Sequence, residues 1–124
     1  MAFHNTLGKW GEQLAVDELT GEGFAIAETN WHMSHHEIDI IATRGNLMVV
    51  AEVKTRSDMT EDPLAAVDSR KINAMVRAAR AYMDFNRIEM DVRFDLFAIC
   101  GTPGGEYRME HIPDAFYPPL KSYR

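Results

Sequence analysis

Three side chains in the stretch from Glu37 to Lys54 could do chemistry together: Asp39, Glu52 and Lys54. The stretch reads as two β-strands joined by a tight turn. From Leu47 onward, alternate residues take opposite faces. Leu47, Val49, Ala51 and Val53 lie on one, and Met48, Val50, Glu52 and Lys54 on the other. Gly45-Asn46 suits a two-residue hairpin loop, with Gly supplying the positive φ that a type II′ turn needs first. If Arg44 faces Leu47 across that turn, Asp39 lies opposite Glu52, with Cβ atoms about 4.5–5.5 Å apart. Two carboxylates so placed repel unless a cation lies between them or one is protonated. Lys54, two residues beyond Glu52 on the same face, adds an ammonium. Three charged groups inside apolar strands cost desolvation energy that a purely structural hairpin does not need. The pattern points to a site.

The spacing Asp-x12-Glu-x-Lys resembles the PD-(D/E)xK signature of the restriction-endonuclease-like nucleases. Within that superfamily the whole chain resembles the uncharacterised YraN-like family. The matching pieces run in order from Gly11-Glu12-x-x-Ala15 and Asn30-Trp31 through Glu37-Ile38-Asp39-Ile40-Ile41-Ala42 and Glu52-Val53-Lys54-Thr55-Arg56. They continue with Ala66-Val67-x-x-x-Lys71 and Arg93-Phe94-Asp95. One position departs: His36 stands where the family usually carries Gly. The resemblance implies a metal-dependent nuclease acting on DNA, with branched or damaged structures as candidate substrates. It further implies Mg²⁺ or Mn²⁺ held by Asp39, Glu52 and the backbone carbonyl of Val53, since hard cations take oxygen ligands. Lys54 would orient or deprotonate the attacking water or stabilise charge on phosphorus. Arg56, Lys71 and His36 are the candidate phosphate contacts.

The elements that must position these residues follow from periodicity. Asn5 or Thr6 can cap a first helix running to about Leu19, with Gly21 and Gly23 ending it. Glu12 falls within the arc of Gly8, Ala15, Val16 and Leu19, so it points toward the sheet. An early-helix Glu is also favoured by the macrodipole alone. By resemblance, junction resolvases of this fold place a helix glutamate near the metal, where Glu12 would hold a second ion or its water. Phe24 to Trp31 reads as a strand, followed by a polar loop carrying His32, His35 and His36. With no cysteine or second spaced ligand pair beside them, these histidines are read as a solvated loop, not a zinc site. Ser69 can cap a helix from Arg70 to about Phe85, with Ile72, Met75, Val76, Ala79 and Met83 on its apolar face. Lys71 falls at the edge of that face, where a snorkelling lysine is the alternative to a phosphate ligand. Asp91 to Cys100 and Tyr107 to Ile112 complete the strands, around the turn Thr102-Pro103-Gly104-Gly105. The order helix, three strands, helix, two strands gives a three-layer α/β/α domain with a mixed five-stranded sheet.

At 124 residues the chain is expected to form one domain, residues 1–124, with an irregular tail from about residue 113. No run approaches the length of a membrane helix and the N-terminus lacks a signal pattern. The single cysteine, Cys100, excludes an intrachain disulfide, so cytoplasm is the default compartment. A net charge of −6 argues against a protein that coats nucleic acid non-specifically, while an acidic nuclease site is compatible with it. Arg70, Lys71, Arg77, Arg80 and Arg87 against Asp84 alone make one locally basic segment. Two other functions fit the residues: a nucleic-acid-binding module without significant hydrolysis, and a protein-interaction domain. A homodimer or protein partner would supply a surface that the sequence does not show.

Overall fold

The computed structural model describes residues 2–117. Its elements are α1 (Ala2–Gly21), β1 (Ala25–Met33), β2 (His36–Arg44), β3 (Leu47–Arg56), a 3-10 turn (Pro63–Ala66), α2 (Ser69–Asn86), β4 (Asp91–Gly101) and β5 (Tyr107–Ile112). The order is the expected one. The strands lie side by side as β1-β2-β3-β4-β5, with β3 and β4 parallel and the other pairs antiparallel. A parallel pair needs a long crossover, and α2 supplies it between β3 and β4.

The two helices cover opposite faces. Ala15 and Leu19 of α1 bury against Ile40, Ala42, Val49, Ala51 and Phe97. Met75, Val76, Ala79 and Tyr82 of α2 bury against Ile41, Met48, Val50 and Phe94 on the other side. Neighbouring strand residues thus enter different cores, which is why β2 and β3 read as nearly continuous apolar runs. The β2–β3 register also follows the expected arithmetic, from Arg44↔Leu47 to Ile40↔Ala51, around a turn in which Gly45 has φ 59°.

Three local expectations are corrected. Helix α1 already begins at Ala2, so Asn5 and Thr6 lie inside it and do not cap it. Asp68, not Ser69, caps α2: its extended backbone lets the carboxylate accept the Lys71 N–H at 2.9 Å. Both residue types cap well, so propensity could not choose between adjacent positions. The histidine loop is largely strand. His32 pairs with Glu37 and Met33 with His36, leaving only Ser34-His35 as the turn, with Ser34 at φ 57°. Cross-strand hydrogen bonding overrides a polar composition here. Beyond β5, Ala115 and Phe116 pack onto the α2-side core, and Phe116 stacks on Phe94 at 5.0 Å. The rest of the expected tail, including Pro118 and Pro119, lies outside the described residues.

Gly11 sets how closely α1 approaches the sheet. A Cβ there would lie 2.7 Å from Cγ2 and 2.9 Å from Oγ1 of Thr55. Gly11→Ala is therefore expected to lower the melting temperature, because overpacking of about 1–3 kcal/mol exceeds the roughly 1 kcal/mol gained in helix propensity. In a Thr55→Ala background the same change is expected to raise it. Thermal melts of the four proteins check this; a Gly11→Ala effect of one sign in both backgrounds would contradict the close contact.

Candidate active site

The site begins with an irregularity in two adjacent strands. The β1–β2 ladder runs Thr29↔Ile40 and then Trp31↔Ile38, skipping Asn30 and Asp39. Asn30 has φ 52°, a left-handed backbone rarely adopted outside Gly, Asn and Asp. Across this point the faces switch. Ile38 enters the α2-side core while Ile40, two residues on, enters the α1-side core. In a regular strand they would share a face. The consequence falls on Asp39. Regular alternation from Ile40 would aim Asp39 at the α2 face, with Glu52; the irregularity turns it toward α1 instead.

There Asp39 lines a cleft of about 370 Å³ with Lys9, Glu12, Asn30, Val53 and Thr55. The expected direct pairing of Asp39 with Glu52 is absent, because the β2–β3 ladder stops at Ile40↔Ala51. The Val53 N–H instead donates to Asp39 Oδ2 at 2.8 Å. Burial, then the negative charge of Glu52, push the Asp39 carboxyl up to about 6, against the Val53 hydrogen bond; Glu12 adds to the rise and Lys71 opposes it. Glu12 reaches the same cleft from α1 and accepts a hydrogen bond from Asn30 Nδ2 at 2.8 Å. Its carboxyl is also raised, by burial, with the Asn30 bond acting against the shift.

Glu52 belongs to the other side of the strand ends. It is 6% exposed and sits between two ammoniums, Lys54 at 3.2 Å and Lys71 at 3.1 Å. Lys54 comes from the same strand, as its spacing requires, and Lys71 from the first turn of α2. The arrangement holds two carboxylate environments around one strand end. Among the described residues, Asp39 and Glu12 face a polar cleft without a paired cation at salt-bridge distance, while Glu52 pairs with two lysines.

The remaining candidate contacts lie around this centre. His36 lines a second hollow of about 180 Å³ with Glu37, Lys71 and Arg77. Arg56 is engaged elsewhere: its Nη1 donates to the Thr55 carbonyl at 2.8 Å and its Nε lies 4.0 Å from Glu61. Asn30 had no role assigned from the sequence beyond the resemblance, yet it holds Glu12. An asparagine inside a strand pattern was the available signal. Asp95, whose apolar strand neighbours suggest a structural hydrogen-bonding group, sits at the centre of a second network. Asp95, fully buried, accepts from Arg93, from the Asp114 N–H and pairs with His111 Nε2 at 2.8 Å. His111 Nδ1 lies 3.3 Å from Glu22, and Glu18, Glu22 and His111 bring ligand atoms within 4.8 Å of one another. Among the described residues, Glu12, Asp39 and Glu52 do not form so tight a trio.

The elevated Asp39 carboxyl has a consequence for stability. Between pH 3.8 and about 6, folded Asp39 holds a proton that the unfolded chain has released. The group therefore stabilises the fold less as pH rises through that window, and above about 6 it is a net cost on the order of 2–3 kcal/mol. Asn at the same position still accepts from Val53 N–H without the charge. In chelator, Asp39→Asn is expected to match the parent melting temperature near pH 4 and exceed it by several degrees at pH 7. A difference that stays flat across that range would show that Asp39 is not destabilised by its surroundings.

The chain matches the profile of the family described as "Uncharacterised protein family UPF0102" over residues 11–99, a span that contains Glu12, His36, Asp39, Glu52, Lys54, Arg56 and Lys71. A UPF0102 protein of Bacteroides thetaiotaomicron is 48% identical over 121 residues, which is 97% of this chain and 99% of the relative. A UPF0102 protein of Flavobacterium psychrophilum is 43% identical over 118 residues, 94% and 98% of the two chains. Among solved structures, the Holliday junction resolvase Hjc of Archaeoglobus fulgidus aligns with a TM-score of 0.48 at 19% identity, covering 86% of this chain and 77% of that one. Among the described residues, no helix is long and apolar enough to cross a membrane.

Proposed function

The chain belongs to the uncharacterised protein family UPF0102, and from its site we propose a divalent-metal-dependent nuclease that hydrolyses DNA phosphodiester bonds. The observation that carries the reading is the pair of carboxylates in the cleft, Asp39 and Glu12: burial raises both, and the charges of Glu52 and then Glu12 raise Asp39 further. Carboxylates so placed gain from a hard cation, which would relieve both desolvation and repulsion. Asp39 and Glu12 offer the hard oxygen donors in the cleft that Mg²⁺ or Mn²⁺ takes, with the Val53 carbonyl beside them, and Glu52 would join as a ligand only by leaving Lys54 and Lys71. Bound there, the metal supplies Lewis-acid stabilisation of phosphorane charge and lowers the pKa of water.

The chain's own residues have separate tasks. The Val53 N–H fixes one oxygen of Asp39, which lines the cleft. Lys54 holds Glu52 and, within reach of the same strand end, orients the attacking water or its proton. Lys71 shares Glu52 with Lys54 and, beside His36 and Arg77, binds a flanking phosphate. Arg56 would serve as a phosphate contact only by leaving the Thr55 carbonyl. The PD-(D/E)xK resemblance supports the same assignment.

A second reading has one observation in its favour: both lysines are engaged by Glu52, so the arrangement suits phosphate binding as well as catalysis. The deciding experiment is cleavage of labelled duplex, single-stranded, flap and four-way-junction DNA with Mg²⁺ or Mn²⁺. Cutting that stops with chelator supports the nuclease and ranks its substrates. Binding of any of these DNAs without cutting moves the assignment to a nucleic-acid-binding module. No cutting and no binding, even with metal, would leave a protein partner as the object of search. A cytoplasmic setting, where DNA is within reach, belongs to the same proposal.

A further inference from the structure

Glu12 and Asp39 reach their shared cleft from different elements, and one residue touches the geometry of both. Asn30 skips its place in the β1–β2 ladder opposite Asp39, with φ 52°, and its Nδ2 donates to Glu12 Oε1 at 2.8 Å. We infer that Asn30 assembles the cation site: its left-handed backbone frees Asp39 to turn toward α1, and its amide holds Glu12 beside it. The inference rests on the metal-dependent reading for the purpose of the site and on geometry for its assembly.

Residue type explains why asparagine stands there. A β-branched side chain, the usual occupant of a strand, disfavours positive φ and would restore regular pairing. Regular pairing returns Asp39 to the α2 face, next to Glu52, and separates it from Glu12. Glycine would tolerate the backbone but offer no donor. Aspartate would tolerate the backbone but present a second carboxylate to Glu12. Asparagine alone among these combines the left-handed backbone with a neutral N–H donor. The donor leaves the second oxygen of Glu12 free and fixes where it points, as outer partners of metal ligands do. Asn30 is a positioning residue in this arrangement and does not contact the reacting phosphate.

The test is a Mn²⁺ titration of the full chain by electron paramagnetic resonance, without DNA, alongside thermal melts. The proteins are the parent, Asn30→Gly, Asn30→Thr, Glu12→Gln and the Asn30→Gly/Glu12→Gln double variant. Asn30→Gly is expected to melt close to the parent, since the backbone is retained, yet to bind Mn²⁺ about 10–100-fold more weakly. The double variant is expected to bind little worse than either single one, because both changes remove the same ligand. Asn30→Thr is expected to lose both stability and Mn²⁺ affinity, through strain at positive φ. Parent-like Mn²⁺ affinity in Asn30→Gly would overturn the inference while leaving the metal-dependent reading intact. A folded parent that binds no Mn²⁺ at millimolar concentration would overturn both.

Discussion

On the proposed nuclease function, Asp39→Ala and Lys54→Ala are each expected to yield a folded protein whose cleavage rate falls by about 10²–10⁴ relative to the parent. The two losses have different origins. Asp39 is the carboxylate that burial and like charge hold in an uncomfortable state within the cleft, so its removal takes away the ligand that gains most from a cation. Its loss relaxes the metal-free fold instead of weakening it. Lys54 is 3.2 Å from Glu52 in a pair whose other partner, Lys71, remains at 3.1 Å after the substitution. Glu52 is thus not left as an uncompensated buried charge, and the fold should survive. What disappears is the ammonium to which the proposed mechanism gives the attacking water. Lys71→Ala provides the contrast: with a role limited to phosphate binding and Glu52 pairing, it should raise KM more than it lowers kcat. Rates with a junction or flap substrate, taken with circular dichroism of each variant, give the comparison. Full activity in folded Lys54→Ala would remove the lysine from the mechanism.

The largest expected effect on stability lies away from the cleft, at Asp95. Its carboxylate has no exposure and receives Arg93 at 2.9 and 2.8 Å, His111 at 2.8 Å and the Asp114 N–H at 3.1 Å. These partners come from β4, from β5 and from the turn that follows it, so one side chain ties the sheet edge to the chain beyond. Breaking a buried pair by removing one partner costs about 3–5 kcal/mol, because the other charge remains without compensation. Asp95→Ala is expected to lower the melting temperature by on the order of 10 °C. Asp95→Asn keeps the shape and some acceptors and should fall between. Replacing the pair, with Arg93→Met and Asp95→Leu together, should recover part of the loss, since both charges are then absent. A melting temperature for Asp95→Ala within two degrees of the parent would show that the network contributes little.

Much of the architecture was legible in the order of residues. The period-two alternation from Leu47 and the glycine at 45 set the β2–β3 register, because side-chain parity and a two-residue turn leave one pairing that buries both faces. Lys54 beside Glu52 followed from the same parity. The apolar spacing of α2 placed Lys71 at the edge of the buried face, and the helix then delivers it to Glu52.

Other features depended on neighbours far along the chain. The reach of β1 and β2 into the histidine segment depends on cross-strand bonds between residues whose side chains are polar, so composition misread it as a loop. Asp95, amid apolar strand neighbours, reads as a structural hydrogen-bonding group, but its partners His111 and Asp114 are distant in sequence and only the fold brings them to it. The face taken by Asp39 is the clearest case. Local alternation put it opposite Glu52, and a single left-handed residue on the adjoining strand, Asn30, turned it to the cleft shared with Glu12. Periodicity reports where side chains point while a strand stays regular. It carries no information on where pairing with another strand is interrupted, and in this protein one gap in the β1–β2 pairing, at Asn30 and Asp39, falls at the candidate site.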